Sequence, residues 1–124
     1  MNMRATFPSA ARLLRPSDFT VALKGRRIAR GALLVLIAAR PEAPLDIPQA
    51  RLGIIVGKRN ARLAVTRNTI KRILREEFRQ IRHELPHKDY IFRLHSSTGK
   101  ISLKKLKKAI RTEAIKHLER ARKC

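Results

Sequence analysis

Apolar residues along the chain switch between helical and strand periods, and the switches mark out the elements. Ile70, Ile73, Leu74, Phe78, Ile81 and Leu85 recur every three or four positions, which predicts a helix over residues 66–85. Thr66 stands where a cap belongs, and Pro86 ends the segment. Leu103, Leu106, Ile110, Ala114 and Leu118 repeat in the same way after Ser102, a capping residue, and predict a C-terminal helix. Elsewhere the period shortens. Residues 32–39 are a continuous apolar run between Gly31 and Pro41, the pattern of a buried strand. In residues 51–58, Leu52, Ile54 and Val56 share one face of a second strand and Ile55 lies on the other. Residues 89–94 are β-prone and run into the turn signals Ser96, Ser97, Thr98 and Gly99. Near the start, Pro16, Ser17 and Asp18 open a short helix over residues 17–24 that Gly25 stops and that buries Phe19 and Leu23. Residues 26–30 read as a basic connector, and Pro41, Pro44 and Pro48 punctuate a surface loop. The order helix, strands, helix, strand, helix predicts an α/β layer sandwich in one domain, 1–124, with residues 1–11 flexible and 119–124 frayed.

Charge changes the picture. Among 124 residues, 30 are Lys or Arg and 9 are Asp or Glu, a formal net charge of +21. With 44% hydrophobic residues, the chain is too apolar for a disordered basic tail, so the charge rides on a folded body. A surplus of this size opposes folding by self-repulsion and points to a polyanionic partner, nucleic acid first. The longest apolar run is far short of a membrane helix, and no secretory h-region opens the chain. The Arg-bearing, acid-poor start also fits an organellar transit peptide, but it is short. The single cysteine, Cys124, excludes an internal disulfide and a cysteine-cluster zinc site. A cytoplasmic protein is expected.

On the helix over residues 66–85, Asn68, Lys71, Arg72, Arg75, Arg79 and Arg82 lie away from the apolar stripe at steps of three or four. Like charges at this spacing repel, and only Glu76 and Glu77 offset them, so the face is unfavourable in isolation. Arg presents a planar fork that matches phosphate, which gives such a face a use. A merely solvated face on a basic protein has the same charge pattern, and charge alone leaves both readings open. Lys104, Lys105, Lys107 and Lys108 read as the wet side of the last helix, and Arg26, Arg27 and Arg30 fit an RNA surface or a solvated connector equally. Aromatics are only 4%, few for a binder driven by base stacking. Catalytic constellations are missing: His83, His87, His95 and His117 have no metal-ligand spacing, no carboxylate pair stands out, and no phosphate-binding glycine loop occurs. No catalytic or metal-binding residue is expected in the chain.

The stretch Ala64-Val65-Thr66-Arg67-Asn68-Thr69-Ile70-Lys71-Arg72, followed by Ile73-Leu74-Arg75-Glu76-Glu77-Phe78-Arg79, resembles the signature of the bacterial ribonuclease P protein subunit family, A-V-x-R-N-R-x-K-R and then a hydrophobic-R-E-x-F-R run. Gly53 and Lys58-Arg59 resemble the family's strand end, Arg12-Leu13 and Ser17-Asp18-Phe19 its opening, and Asp89-Tyr90-Ile91 its late strand. The likeness spans nearly the whole chain. Two positions depart from it: Thr69 replaces the second Arg of R-N-R, and Gly57 replaces a Ser.

The resemblance implies a ribosomal protein S5 domain 2-like sandwich of order α-β-β-(β)-α-β-α, with a left-handed crossover around the signature helix. It implies a subunit of an endoribonuclease in which a catalytic RNA, holding Mg2+, removes the 5′ leader of precursor tRNA, the chain alone being inactive. The partners implied are ribonuclease P RNA and precursor tRNA, with no membrane and no obligate protein partner. By position, Lys58, Arg59, Arg62, Arg67, Asn68, Lys71, Arg72, Arg75 and Arg79 would face the catalytic RNA, and Phe19, Arg12 and Arg51 the cleft that holds the leader. Thr69 supplies no guanidinium. Two other readings stand beside this one: a ribosomal or other structural RNA-binding protein, and a basic helix for an acidic partner or membrane surface, for which the stripe of residues 70–85 would have to be free rather than in the core.

Overall fold

The computed structural model describes residues 11, 12, 16–41 and 48–124. Its elements are α1 (Pro16–Leu23), β1 (Arg26–Arg30), β2 (Leu34–Ala39), β3 (Arg51–Ile55), α2 (Ala64–Ile81), a 3-10 turn (Arg82–Glu84), β4 (Asp89–Leu94) and α3 (Leu103–Arg122). The strands form one sheet in the order β1-β2-β4-β3. β2 pairs antiparallel with β1 and β4, whereas β3 pairs parallel with β4. Antiparallel neighbours β1 and β2 close through a tight turn, but parallel neighbours need a crossover, and α2 is that crossover.

Strand alternation sends Leu34, Leu36, Ala38, Leu52, Tyr90, Phe92 and Leu94 to one sheet face. The α2 stripe Ile70, Ile73, Leu74 and Phe78 packs there together with Leu106, Ile110, Ala114 and Leu118 of α3. Phe78 is fully buried, its ring centroid 6.3 Å from that of Tyr90. The Tyr90 hydroxyl donates to the Pro86 carbonyl at 2.7 Å, and burial pushes its pKa up. These are the two principal layers of the α+β sandwich. On the opposite sheet face α1 covers only part of the surface, with Phe19 and Ala22 against Ala39, Ile55 and Ile91.

Four sequence expectations are corrected. Residues 26–30 are an edge strand, not a connector; the register slips between Arg27 and Ala29, so Ile28 and Ala29 both pack toward the core. β3 ends at Ile55, although Val56 stays buried in the same cluster as Leu52 and Ile54. α2 begins at Ala64 with Leu63 in the cap position and no side-chain cap, so Thr66 lies inside the helix. It also ends at Ile81; Arg82 enters the 3-10 turn, is 8% exposed and donates to Gln49, and so leaves the basic face. Ser102 does cap α3, its hydroxyl accepting from the Lys105 amide at 3.4 Å. That helix runs to Arg122, inside the segment 119–124 expected to fray, with Ala121 buried. The flexibility expected of residues 1–11 and the turn at Pro44 lie outside the described residues, apart from Ala11, which is buried.

Candidate nucleic-acid interface

α2 packs its stripe inward and turns the opposite side outward. Asn68, Lys71, Arg72, Arg75 and Arg79 line a groove of about 480 Å³ together with Glu76 and Arg12. Arg12 reaches it because its backbone bridges to Leu52 at the free edge of β3. Among the described residues, Lys71, Arg72 and Arg75 have no carboxylate within ion-pair distance. Arg79 differs: its Nε donates to Glu76 at 3.2 Å, and this contact holds the Glu76 carboxyl below the usual carboxylate range. Glu77 faces the other way, toward Arg111 of α3, at 3.4 Å.

Arg67 is spent locally. Its Nη1 donates to the carbonyls of Ala61 at 2.9 Å and Arg62 at 2.7 Å, fastening the loop that enters α2. Lys58, Arg59 and Arg62 are exposed on that loop. Thr69 is half-buried, and its hydroxyl donates to the Val65 carbonyl at 2.8 Å. This is the usual back-bond of a helical Thr.

Of the three residues expected at a leader cleft, Arg51 and Phe19 lie where α1 packs on the sheet, and Arg12 lines the α2 groove. Arg51 donates to both oxygens of buried Asp89 at 2.7 Å and lies 3.8 Å from Asp18 of α1, so it ties α1 to the sheet. The Asp89 hydrogen bonds raise the pKa of its guanidinium. Phe19 is half-buried under α1 beside Ile55 and Ile91. A different concavity lies next to it, where α1 stops short of β1. This hollow, of about 300 Å³, is lined by Leu23, Val35 and Ile37, with Arg27, Arg30, Arg93 and His95 around them. Sequence reasoning missed it because the β1–β2 hairpin meets residues of β4 some way down the chain only in the folded sheet. The available signal was the alternation in β2, which sets Val35 and Ile37 on the face opposite Leu34 and Leu36.

Among the described residues, no group of three or more His, Cys, Asp or Glu side chains gathers as a metal site, and no helix is long and apolar enough to cross a membrane. The fold and its outward groove define a strongly basic α+β sandwich whose signature helix presents uncompensated cations. The Ribonuclease P family profile matches residues 7–121. The chain is 57% identical over 117 residues to the ribonuclease P protein component of Bordetella avium, covering 94% of this chain and 95% of that one. It is 41% identical over 100 residues to the component of Burkholderia mallei, covering 81% and 70%. The RNase P protein of Staphylococcus aureus superposes with a TM-score of 0.66 at 25% identity, over 91% of this chain and 93% of that one. That of Thermotoga maritima does so at 0.66 and 22% identity, over 90% and 99%, a likeness of fold. This chain belongs to the ribonuclease P protein component family.

Proposed function

We propose that this chain binds ribonuclease P RNA through the outward face of α2 and the 5′ leader of precursor tRNA along the open sheet face. In this reading it promotes endonucleolytic 5′-maturation of tRNA while the RNA holds the catalytic Mg2+. The observation that carries the reading is the groove of Lys71, Arg72 and Arg75 in a family member: three cations on one rigid helix, without carboxylate partners among the described residues. Such a row costs stability by mutual repulsion and gains it back when its cations displace the counterions condensed on RNA phosphates. The hollow beside α1, apolar at its floor and basic at its rim, suits a single strand with bases inward and phosphates outward. The chain then acts electrostatically, screening one RNA from another and positioning the leader, and makes or breaks no bond itself.

The test is multiple-turnover cleavage of precursor tRNA by ribonuclease P RNA at low Mg2+, with and without the chain. Stimulation that fades as Mg2+ rises is expected, because metal screening then replaces protein charge. Leader removal by the chain without RNA would overturn the reading.

A further inference from the structure

A second groove, of about 620 Å³, opens at the other side of the α2 N-terminus, between the loop entering α2 and the loop joining β4 to α3. Its walls carry four of the most exposed large apolar side chains in the described residues: Leu63 at 63%, Val65 at 60%, Ile101 at 43% and Leu103 at 39%. Neither the fold nor the α2 face accounts for them. Truncating them would cost the core almost nothing, and water gains nothing from their exposure.

The surroundings say what kind of molecule covers them. Arg59, Arg62 and Lys100 line the same groove, and among the described residues no carboxylate does. α2 and α3 both begin at it, with Leu63 and Ser102 in their cap positions, and neither has an acidic residue in its first turn. Two positive helix ends therefore add to three cations. The groove is also held in shape. Asn60 donates to the Leu94 carbonyl at 2.9 Å, and the Asn60 carbonyl accepts from the Thr98 amide at 2.8 Å and hydroxyl at 3.2 Å. Gly99, at φ +52°, makes the turn that carries Lys100 and Ile101 back over it. A second copy of a +21 chain would bring like charge against like charge.

We infer that this groove holds an unstacked nucleobase of an RNA strand, with the base against Leu63, Val65, Ile101 and Leu103 and the flanking phosphates on Arg59, Arg62 and Lys100. The inference rests on the RNA-binding reading and adds an apolar, base-dependent contact to it. Every base has an apolar face, so the contact is indifferent to sequence but sensitive to the presence of the base.

The experiment compares binding of the full chain to fluorescein-labelled oligouridylate and to an abasic ribose-phosphate strand of equal length, across a salt series. Wild type is expected to prefer the base-bearing strand about fivefold. Leu63→Ser/Val65→Ser should lower that preference and leave the salt slope unchanged, while Arg72→Ala/Arg75→Ala should lower the slope and keep the preference. Ile101→Ser, on the opposite wall, is a second variant, and unchanged melting temperatures show that folding is intact. RNA binding without a base preference, or a preference undiminished in both apolar variants, overturns the nucleobase site alone. Failure of wild type to bind either strand and ribonuclease P RNA overturns the functional reading with it. Leu63- and Val65-dependent binding of labelled oligoglutamate in place of RNA, or self-association lost in the variants, overturns it in favour of a protein partner.

Discussion

A side chain on Gly31 would collide with Glu113: an ideal Cβ there lies 2.0 Å from the Glu113 carboxylate. Glu113, on α3, accepts the Leu33 amide at 3.0 Å and the Leu34 amide at 2.9 Å, closing the β1–β2 turn from outside the sheet. His117, one helical turn on, donates from Nε2 to the Leu34 carbonyl at 3.0 Å. Gly31→Ala should push the carboxylate off these amides rather than distort the strand, since the atom it meets is the end of a flexible side chain. Glu113→Ala should cost about 1–3 kcal/mol, the penalty for unsatisfied buried donors. In urea denaturation the two substitutions should be strongly non-additive, Gly31→Ala being nearly neutral once Glu113 is gone. Additive costs would show that the turn resists the methyl by itself.

Lys71→Ala, Arg72→Ala and Arg75→Ala should change stability by no more than about 0.5 kcal/mol, because among the described residues these side chains make no hydrogen bond or ion pair. Each should lower the log–log salt slope of ribonuclease P RNA binding by about 0.7–0.9. Arg67→Ala should behave differently, with a loss of about 1 kcal/mol in stability from the released Ala61 and Arg62 carbonyls. Thermal denaturation beside salt-dependent binding separates the two classes.

Arg51→Met should destabilise by about 3 kcal/mol, since it leaves Asp89, 3% exposed, without its counter-charge. Because the folded state raises the Arg51 pKa above its ordinary value, its contribution is fully present below that ordinary value and is lost only as pH rises through the folded pKa. The difference between wild type and Arg51→Met should therefore not fall as pH rises across the neutral range. A difference that shrinks between about pH 7 and 9 would exclude the ion pair as its origin.

Thr69→Arg restores the family residue at the break in the signature. The lost hydroxyl back-bond is weak and Arg favours helix, so melting should move little. RNA affinity should rise, with a salt slope steeper by about one. A fall in melting temperature without gain in affinity would remove position 69 from the interface.

The stripe of α2 and the runs of β2 and β4 were legible in the sequence because each buries a face with one dominant period. β1 was not: Arg26, Arg27 and Arg30 surround two apolar residues, and the bulge at Ile28 and Ala29 breaks the alternation that would announce a strand. The start of α2 misled because Leu63 occupies the cap without a capping oxygen, while Thr66, which looks like a cap, lies inside. The basic face was legible as a set, but its members were not distinguishable. Arg67 and Arg82 carry the same charge at the same spacing as Arg72 and Arg75. What sets them apart is a carbonyl or a Gln49 oxygen that only the tertiary fold supplies. The hollow beside α1 and the second groove join residues of separate strands and loops, and no local pattern encodes that adjacency.

The place of β4 in the sheet bears on how the chain is made. It lies between β2 and β3, so β3 gains its neighbour in the sheet only from residues 89–94. During synthesis the β1–β2 hairpin can close early, while β3 and the apolar stripe of α2 leave the ribosome with no floor to pack on. The late arrival of Tyr90 and Phe92 completes that floor, and Leu106 and Ile110 then cover it. The parallel β3–β4 closure is the non-local, slow step, and until it happens the nascent chain exposes its future core beside the cationic face of α2.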